Sequence, residues 1–302
     1  MISRLAKYLN DNAYLLLLLT TLFWAGNFVL GRGIAGHIPP IALSWFRWVF
    51  AFAILLPFTL PYLRKDWPVI KQNIPILTFL GVLGVGSFNT LAYIGLNDTT
   101  AINALILQTS GPALIMIGAF ATFGERVSYI QFIGLLIALP GVLIIILKGE
   151  LTVLSQMSLN TGDIWIFVAM VSWTIYTILL RFRPQIHAFS LASVTFGIGA
   201  LFVTPFFLGE MLYGHVITFD TTTLLSVAYV AIFPSTLAYI FYNRGVELIG
   251  PNQAGAFLYI VPLFGAVLAI LLLGETLQTY HLWGFLIIFI GVWMISHHKN
   301  KV

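Results

Sequence analysis

The stretch PALIMIGAFATFGERVSYIQFIGLLIALPG at Pro112–Gly141 returns as PLFGAVLAILLLGETLQTYHLWGFLIIFIG at Pro262–Gly291. Pro112 aligns with Pro262, Gly124 and Glu125 with Gly274 and Glu275, Gly134 with Gly284 and Gly141 with Gly291, all 150 positions apart. Upstream the same register pairs Gly95 with Gly245 and Ala104 with Ala254, and an offset of 149 pairs Trp24 with Trp173 and Arg32 with Arg181. Self-similarity on this scale marks an internal repeat, one copy about 13–148 and the other about 162–297. A string Thr-Leu-Ala-Tyr-Ile at Thr90 recurs at Thr236, offset by 146, and is either an indel or a coincidence.

Both copies are made of apolar runs. Of the 302 residues 60% are hydrophobic and 8% charged, where a soluble domain carries roughly a quarter charged residues. A hydrocarbon core of about 30 Å takes about 20 apolar residues to cross as a helix. Helices are expected near Tyr14–Gly31, Ile41–Leu60, Ile74–Gly95, Ala101–Phe123 and Tyr129–Leu147, then near Ile164–Leu180, Ser190–Leu208, Leu224–Asn243, Ala254–Leu273 and Tyr280–Ile295. The fold class is therefore an all-α integral membrane protein, with ten transmembrane helices as two five-helix repeats in a single membrane domain, 1–302. Arg4 and Lys7 ahead of Leu15–Leu19 imitate a signal peptide, but the apolar run continues to Gly31 and reads as a retained first helix.

The net charge of +4 is scattered through the loops and forms no basic tract, so the expected partner is the lipid bilayer and not nucleic acid. With no cysteine, disulfides and thiolate chemistry are excluded. Lys and Arg concentrate in cytoplasmic loops. With both termini inside, eleven fall on that side: Arg4, Lys7, Arg64, Lys65, Lys71, Arg126, Arg181, Arg183, Arg244, Lys299 and Lys301. Arg32 and Lys148 fall outside, and Arg47 lies within a span. Because each repeat holds an odd number of helices, the second enters from the opposite face, giving an inverted pair. Such a pair supports alternating access, with a small-molecule solute bound near the midplane between the repeats.

Two halves, each with a proline in its fourth helix followed by Gly-Glu, together with Trp24-Ala-Gly-Asn27, Arg47-Trp48 and Gly162-Asp163 leading to Trp173, resemble the EamA family of the drug/metabolite transporter superfamily. The resemblance covers nearly the whole chain. It implies a location in the inner (plasma) membrane and export of amino acids or other metabolites, and leaves the substrate open.

Polar and aromatic side chains inside spans are the candidates for solute contact, because a polar group facing lipid is costly. Trp24 and Asn27 share a helix face, and the repeat puts Trp173 and Tyr176 on the matching face. Cavity lining and helix-to-helix glue both fit them. Gln108 lies roughly 10 Å deep by helical rise, and Tyr259 stands one step on from its repeat position. Asn89 and Tyr93 are one turn apart, as are Ser235 and Tyr239. Arg47, roughly 9 Å inside its span, suits a substrate carboxylate through paired N–H donors or a headgroup reached by snorkelling. Pro112 and Pro262 are expected to kink or break their helices. Glu125, Glu275 and Asp163 stand at helix starts, where a carboxylate favours the dipole.

No carboxylate lies deep in a span, whereas the small multidrug exporters of the resembled superfamily depend on an embedded glutamate in their first helix. No phosphate-binding loop, cofactor motif or metal set such as H-E-x-x-H is present, so neither cofactor nor metal is expected, and catalytic residues are expected to be absent. The rival readings are an exporter of drugs or nucleosides, a channel, and an intramembrane enzyme. A carrier saturates and shows counterflow, which separates it from a channel.

Overall fold

The computed structural model of the protein describes residues 11–34, 37–99, 104, 107–108, 110–124, 127–147, 149–150, 152, 160–273 and 278–297. Among these, every regular element is helical. In order they are α1 (Ala13–Gly33), α2 (Pro40–Gln72), α3 (Ile74–Leu80), a π-helical stretch (Gly81–Ser87) and α4 (Phe88–Asp98), then α5 (Ser110–Phe123) and α6 (Tyr129–Ile146). The second half gives α7 (Thr161–Leu179), α8 (Ala188–Leu212), α9 (Thr221–Val230), a second π-helical stretch (Ala231–Leu237), α10 (Ala238–Ala256), a 3-10 turn (Phe257–Tyr259), α11 (Ile260–Leu273) and α12 (Thr279–His297).

Five stretches are long and apolar enough to cross a membrane: Pro40–Gln72, Ile74–Asp98, Thr161–Phe182, Ala188–Leu212 and Thr221–Gly265. The other apolar helices are shorter among the described residues. The last of the five stretches is broken at Gly250, whose φ of 81° and ψ of 165° lie outside the helical region and favour glycine, with Pro251 following. Beside an apolar core, large apolar side chains are exposed and several polar ones are buried. Phe79, Phe120, Leu201 and Phe289 face outward, while Asn27, Arg47, Asn89, Ser235 and Asn243 are buried.

The helix starts follow from local chemistry. Asn12 accepts from Leu15 N at 3.1 Å to start α1. Asn160 and Asp163 form a reciprocal capping box at α7, and the Asp163 carboxylate also accepts from the Thr99 hydroxyl at the end of α4. Asp220 caps α9, and the Thr223 N–H holds its carboxyl below the ordinary value. The α2 start, opened by Pro40, has no local cap. Glu210 supplies one from α8, accepting from Ile41 N at 3.1 Å and Ala42 N at 2.7 Å. The dipole role expected of Asp163 holds, while Glu125 and Glu275 lie outside the described residues.

One expectation is corrected and one open alternative is decided. The second helix does not stop at Leu60 but runs to Gln72, about 50 Å long, with Pro57, Pro61 and Pro68 inside it. Pro262 is the third residue of α11, directly after the 3-10 turn Phe257–Tyr259 that separates this helix from α10, a break of the kind expected, while Pro112 follows the helical residues Leu107 and Gln108. The Thr-Leu-Ala-Tyr-Ile strings are a coincidence. The π stretches Gly81–Ser87 and Ala231–Leu237 match at an offset of 150, so Thr90 lies in α4 while Thr236 lies in a π turn.

Helices α6 and α12 are repeat equivalents and pack on each other. A Cβ on Gly134 would lie 2.8 Å from the Gly291 carbonyl, and one on Gly141 would lie 3.0 Å from the Gly284 carbonyl. The numbering rises on one helix as it falls on the other, so the pair runs antiparallel. Replacing Gly291 by Ala puts a methyl 2.6 Å from backbone atoms of Gly134 and Ala138. Gly291→Ala is expected to lower stability by about 1–3 kcal/mol. Gly209→Ala, in open space on α8, is expected to leave stability unchanged or raise it slightly. Thermal unfolding in detergent reads both.

Candidate functional site

The interior between the two repeats holds a cavity of about 50 Å³. Three pairs among its lining residues are repeat-related: Trp24 with Trp173, Asn89 with Tyr239, and Gln108 with Leu258. Two of these pairs meet. Trp24 and Trp173 touch edge to face with centroids 5.1 Å apart, and Asn89 Nδ2 donates to Tyr239 Oη at 3.0 Å. Residues that contact their own repeat equivalents lie on the axis relating the copies. The cavity therefore sits on that axis.

Backbone carbonyls of the π stretches shape its polar wall. A π turn winds wider than an α turn and tilts carbonyls off the α-helical ladder. The Pro234 carbonyl accepts from Trp24 Nε1 at 3.0 Å and from Arg47 Nη2 at 3.1 Å. Its repeat equivalent, the Gly84 carbonyl, accepts from Tyr239 Oη at 2.5 Å. Ser235 and Thr236 donate to the carbonyls five residues back, Val230 and Ala231, as the wider turn requires.

Arg47, 1% exposed, is the centre of this wall. Its Nε donates to Ser235 Oγ at 2.5 Å, and its Nη1 donates to Asn89 Oδ1 and Tyr93 Oη, each at 2.9 Å. A longer contact of 3.5 Å reaches Asn27 Oδ1, which also accepts from Tyr93 Oη at 3.3 Å. The guanidinium carbon lies 4.9 Å from the centroid of the Trp48 ring. Every partner is neutral, and no carboxylate pairs with Arg47 among the described residues. Glu210 and Asp163 are held elsewhere, at the starts of α2 and α7. Burying a cation costs several kcal/mol, and here hydrogen bonds and a π face offset that cost without a counter-ion.

Below the cavity, Trp24, Trp173 and Tyr242 pack with centroids 5.0–5.3 Å apart. Tyr176 donates to Asn243 at 2.6 Å, and Tyr242 pairs with Thr177 at 3.1 Å. At the end of the bundle Glu247 bridges Arg183 at 2.7 Å and Arg244 at 2.8 Å, and Arg244 reaches Asp11 at 3.6 Å. Packed rings and then ion pairs thus succeed one another toward this end.

Of the residues singled out from sequence, Trp24, Asn27, Arg47, Asn89, Tyr93, Gln108, Trp173 and Tyr239 line the cavity. Three do not. Tyr176 turns to Asn243 among the packed rings, and Ser235 stands behind Arg47 as its acceptor. Tyr259 is buried in the apolar core with Ile260 and Leu263, because one residue along a helical path rotates a side chain by about 100°. Leu258, in strict register with Gln108, takes the wall position. Arg47 turns inward and does not snorkel. Sequence reasoning passed over Phe88, Ala92, Leu96 and Met170. Phe88, Ala92 and Leu96 repeat every four residues beside Asn89 and Tyr93, and Met170 stands three before Trp173, so helical spacing carried the signal.

The chain matches the EamA-like transporter family over residues 11–147 and again over residues 160–297. It belongs to that family. The two EamA matches coincide with the two repeats. The Bacillus subtilis protein named "Uncharacterized transporter YyaM" is 26% identical over 284 residues, covering 93% of this chain and 92% of its own. The Escherichia coli protein named "Probable amino-acid metabolite efflux pump" is 27% identical and covers 92% of this chain and 93% of its own. A crystal structure of another protein superposes with a TM-score of 0.75 at 18% identity, covering 94% of this chain and 96% of that one, and supports the fold. This EamA protein is thus a multi-pass membrane protein of a transporter family. Among the described residues no group of His, Asp and Glu is placed to hold a metal ion.

The Tyr239 hydroxyl ties the second repeat to Gly84 of the first. Tyr239→Phe is expected to lower stability by about 1 kcal/mol through loss of that bond. Tyr213→Phe, on a side chain 90% exposed, is expected to be neutral. Melting of the two purified variants beside the parent protein tests this.

Proposed function

We propose that the protein is a secondary transporter of the inner membrane that exports amino acids or similar small metabolites by alternating access. In this reading ten helices cross the bilayer as two inverted five-helix repeats with both termini in the cytoplasm. The observation that carries it is the cavity on the axis between the repeats, with three repeat-related pairs in its wall. Antiparallel packing of the equivalent helices α6 and α12 supports the inverted relation. The relatives named as amino-acid metabolite efflux pumps support the solute class.

The positive-inside rule assigns the end bearing Arg183 and Arg244 to the cytoplasm. The cavity reaches Asn27, Leu96 and Gln108 on the opposite side of the packed rings. The conformation is then closed toward the cytoplasm by the packed rings and the Glu247 ion pairs. A cavity of about 50 Å³ holds a few water molecules, whereas small-molecule pockets span about 300 Å³ or more. Loading a solute therefore requires the repeats to move apart. Trp24, Asn27, Arg47, Asn89, Tyr93, Gln108, Trp173 and Tyr239 would contact it, with Tyr176, Ser235 and Tyr259 supporting them from behind.

Purified protein in liposomes is expected to give saturable counterflow of labelled amino acids. Gln108→Leu and Trp24→Ala should lower the rate by about tenfold, the scale of one lost hydrogen bond at a binding site. Absence of flux across the amino-acid panel would remove amino acids as the solute, and flux without saturation would favour a channel.

A further inference from the structure

Arg47 poses a problem of charge that the fold leaves open. Its guanidinium is buried, faces the cavity and has only neutral partners among the described residues. Four of its five N–H groups are taken by Ser235, Asn89, Tyr93 and Pro234. Among the described residues the remaining N–H, on Nη2, has no partner. The adjacent Nη1 carries the long 3.5 Å contact to Asn27, beyond the range of a good N–H···O bond. One edge of a fixed cation is thus held toward the cavity with a donor to spare and a weak contact that an incoming oxygen would displace.

The rest of the lining limits what such an oxygen belongs to. Phe88, Ala92, Leu96, Met170, Leu258 and Val261 are apolar, so the body of the ligand is apolar as well. Among the described residues no second cation lines the cavity, so a dicarboxylate or phosphate would keep an unmatched charge. The ring faces of Trp24, Trp173 and Tyr239 are neutral surfaces on which an ammonium group rests favourably. We propose that Arg47 is the carboxylate anchor of the site, and that the solute is an apolar monocarboxylate, zwitterionic or plain.

This deepens the transport reading and rests on it. Asn89, Tyr93 and Ser235 are positioning residues that hold the guanidinium still, which favours binding because little side-chain freedom is left to lose. The same guanidinium is bonded to both repeats, to Asn89 of the first and to the Pro234 carbonyl of the second. A carboxylate that draws on its Nη edge therefore acts where the repeats are tied.

Ligand-dependent melting of the purified chain tests the assignment, using L-leucine, 4-methylpentanoate, L-leucine methyl ester and L-leucinamide. The two carboxylates should bind at least about tenfold more tightly than the ester and amide. In Arg47→Gln the ratio of acid to ester should fall to about one, with Arg47→Lys intermediate. A purely structural Arg47 would change melting in the variants without changing that ratio. Equal binding of acid and ester by the parent protein, or a ratio kept in Arg47→Gln, overturns the assignment. If none of the four binds while counterflow of other solutes persists, the transport reading stands and this solute class falls.

Discussion

Two backbone carbonyls organise the interior. In hydrocarbon a backbone oxygen without a partner is costly, and the wider π turns at Gly81–Ser87 and Ala231–Leu237 present the Gly84 and Pro234 oxygens to side chains. Tyr239 takes the first, and Trp24 and Arg47 take the second. Those donors are themselves the cavity wall, so the requirement to satisfy the backbone and the requirement to build a binding surface are met by the same atoms. From Arg47 the connection runs through Asn89 and Tyr239 to Gly84, four groups linked by hydrogen bonds of 2.5–3.0 Å that cross between the repeats.

Arg47 also shows how a membrane interior tolerates a cation. Surrounding it with carbonyl, amide and hydroxyl oxygens spreads the charge over many small dipoles, and the Trp48 face covers it on one side. A fixed carboxylate would neutralise it at once, and would leave nothing for a ligand to do. The buried carboxylates Glu210 and Asp163 are committed to backbone amides and, for Asp163, to the Thr99 hydroxyl.

What could be read from sequence was whatever depended on spacing. The 150-residue register located the repeats, and helical periodicity brought Trp24 to Asn27 and Asn89 to Tyr93 on shared faces. Strict register was a better guide than chemical appeal: it points to Leu258 opposite Gln108, where the polar tip of Tyr259 had seemed the better lining group. The π turns were illegible because no residue type specifies them; Gly81–Ser87 is rich in glycine, whereas Ala231–Leu237 carries a proline and two hydroxyls. Glu210 was illegible for another reason. It serves α2 from α8, 168 residues away, and no local pattern announces so distant a partner. The extension of α2 through three prolines was hidden because proline ordinarily ends a helix.

The meeting of repeat-equivalent residues on one axis has a consequence for how the chain can diverge. If the two halves descend from a single unit pairing with a copy of itself, every residue on the axis faced its own duplicate, and any change was made twice. Asn89 against Tyr239 is a pair such an ancestor was unable to make. Two asparagines or two tyrosines would have stood there, and an arginine at position 47 would have brought a second one with it. Joining the halves in one polypeptide lifts that constraint, and a single positive charge off the axis becomes possible. Directionality in the chemistry of the chamber is thus a property of fusion, while the symmetric glycine seam between α6 and α12 keeps the older geometry.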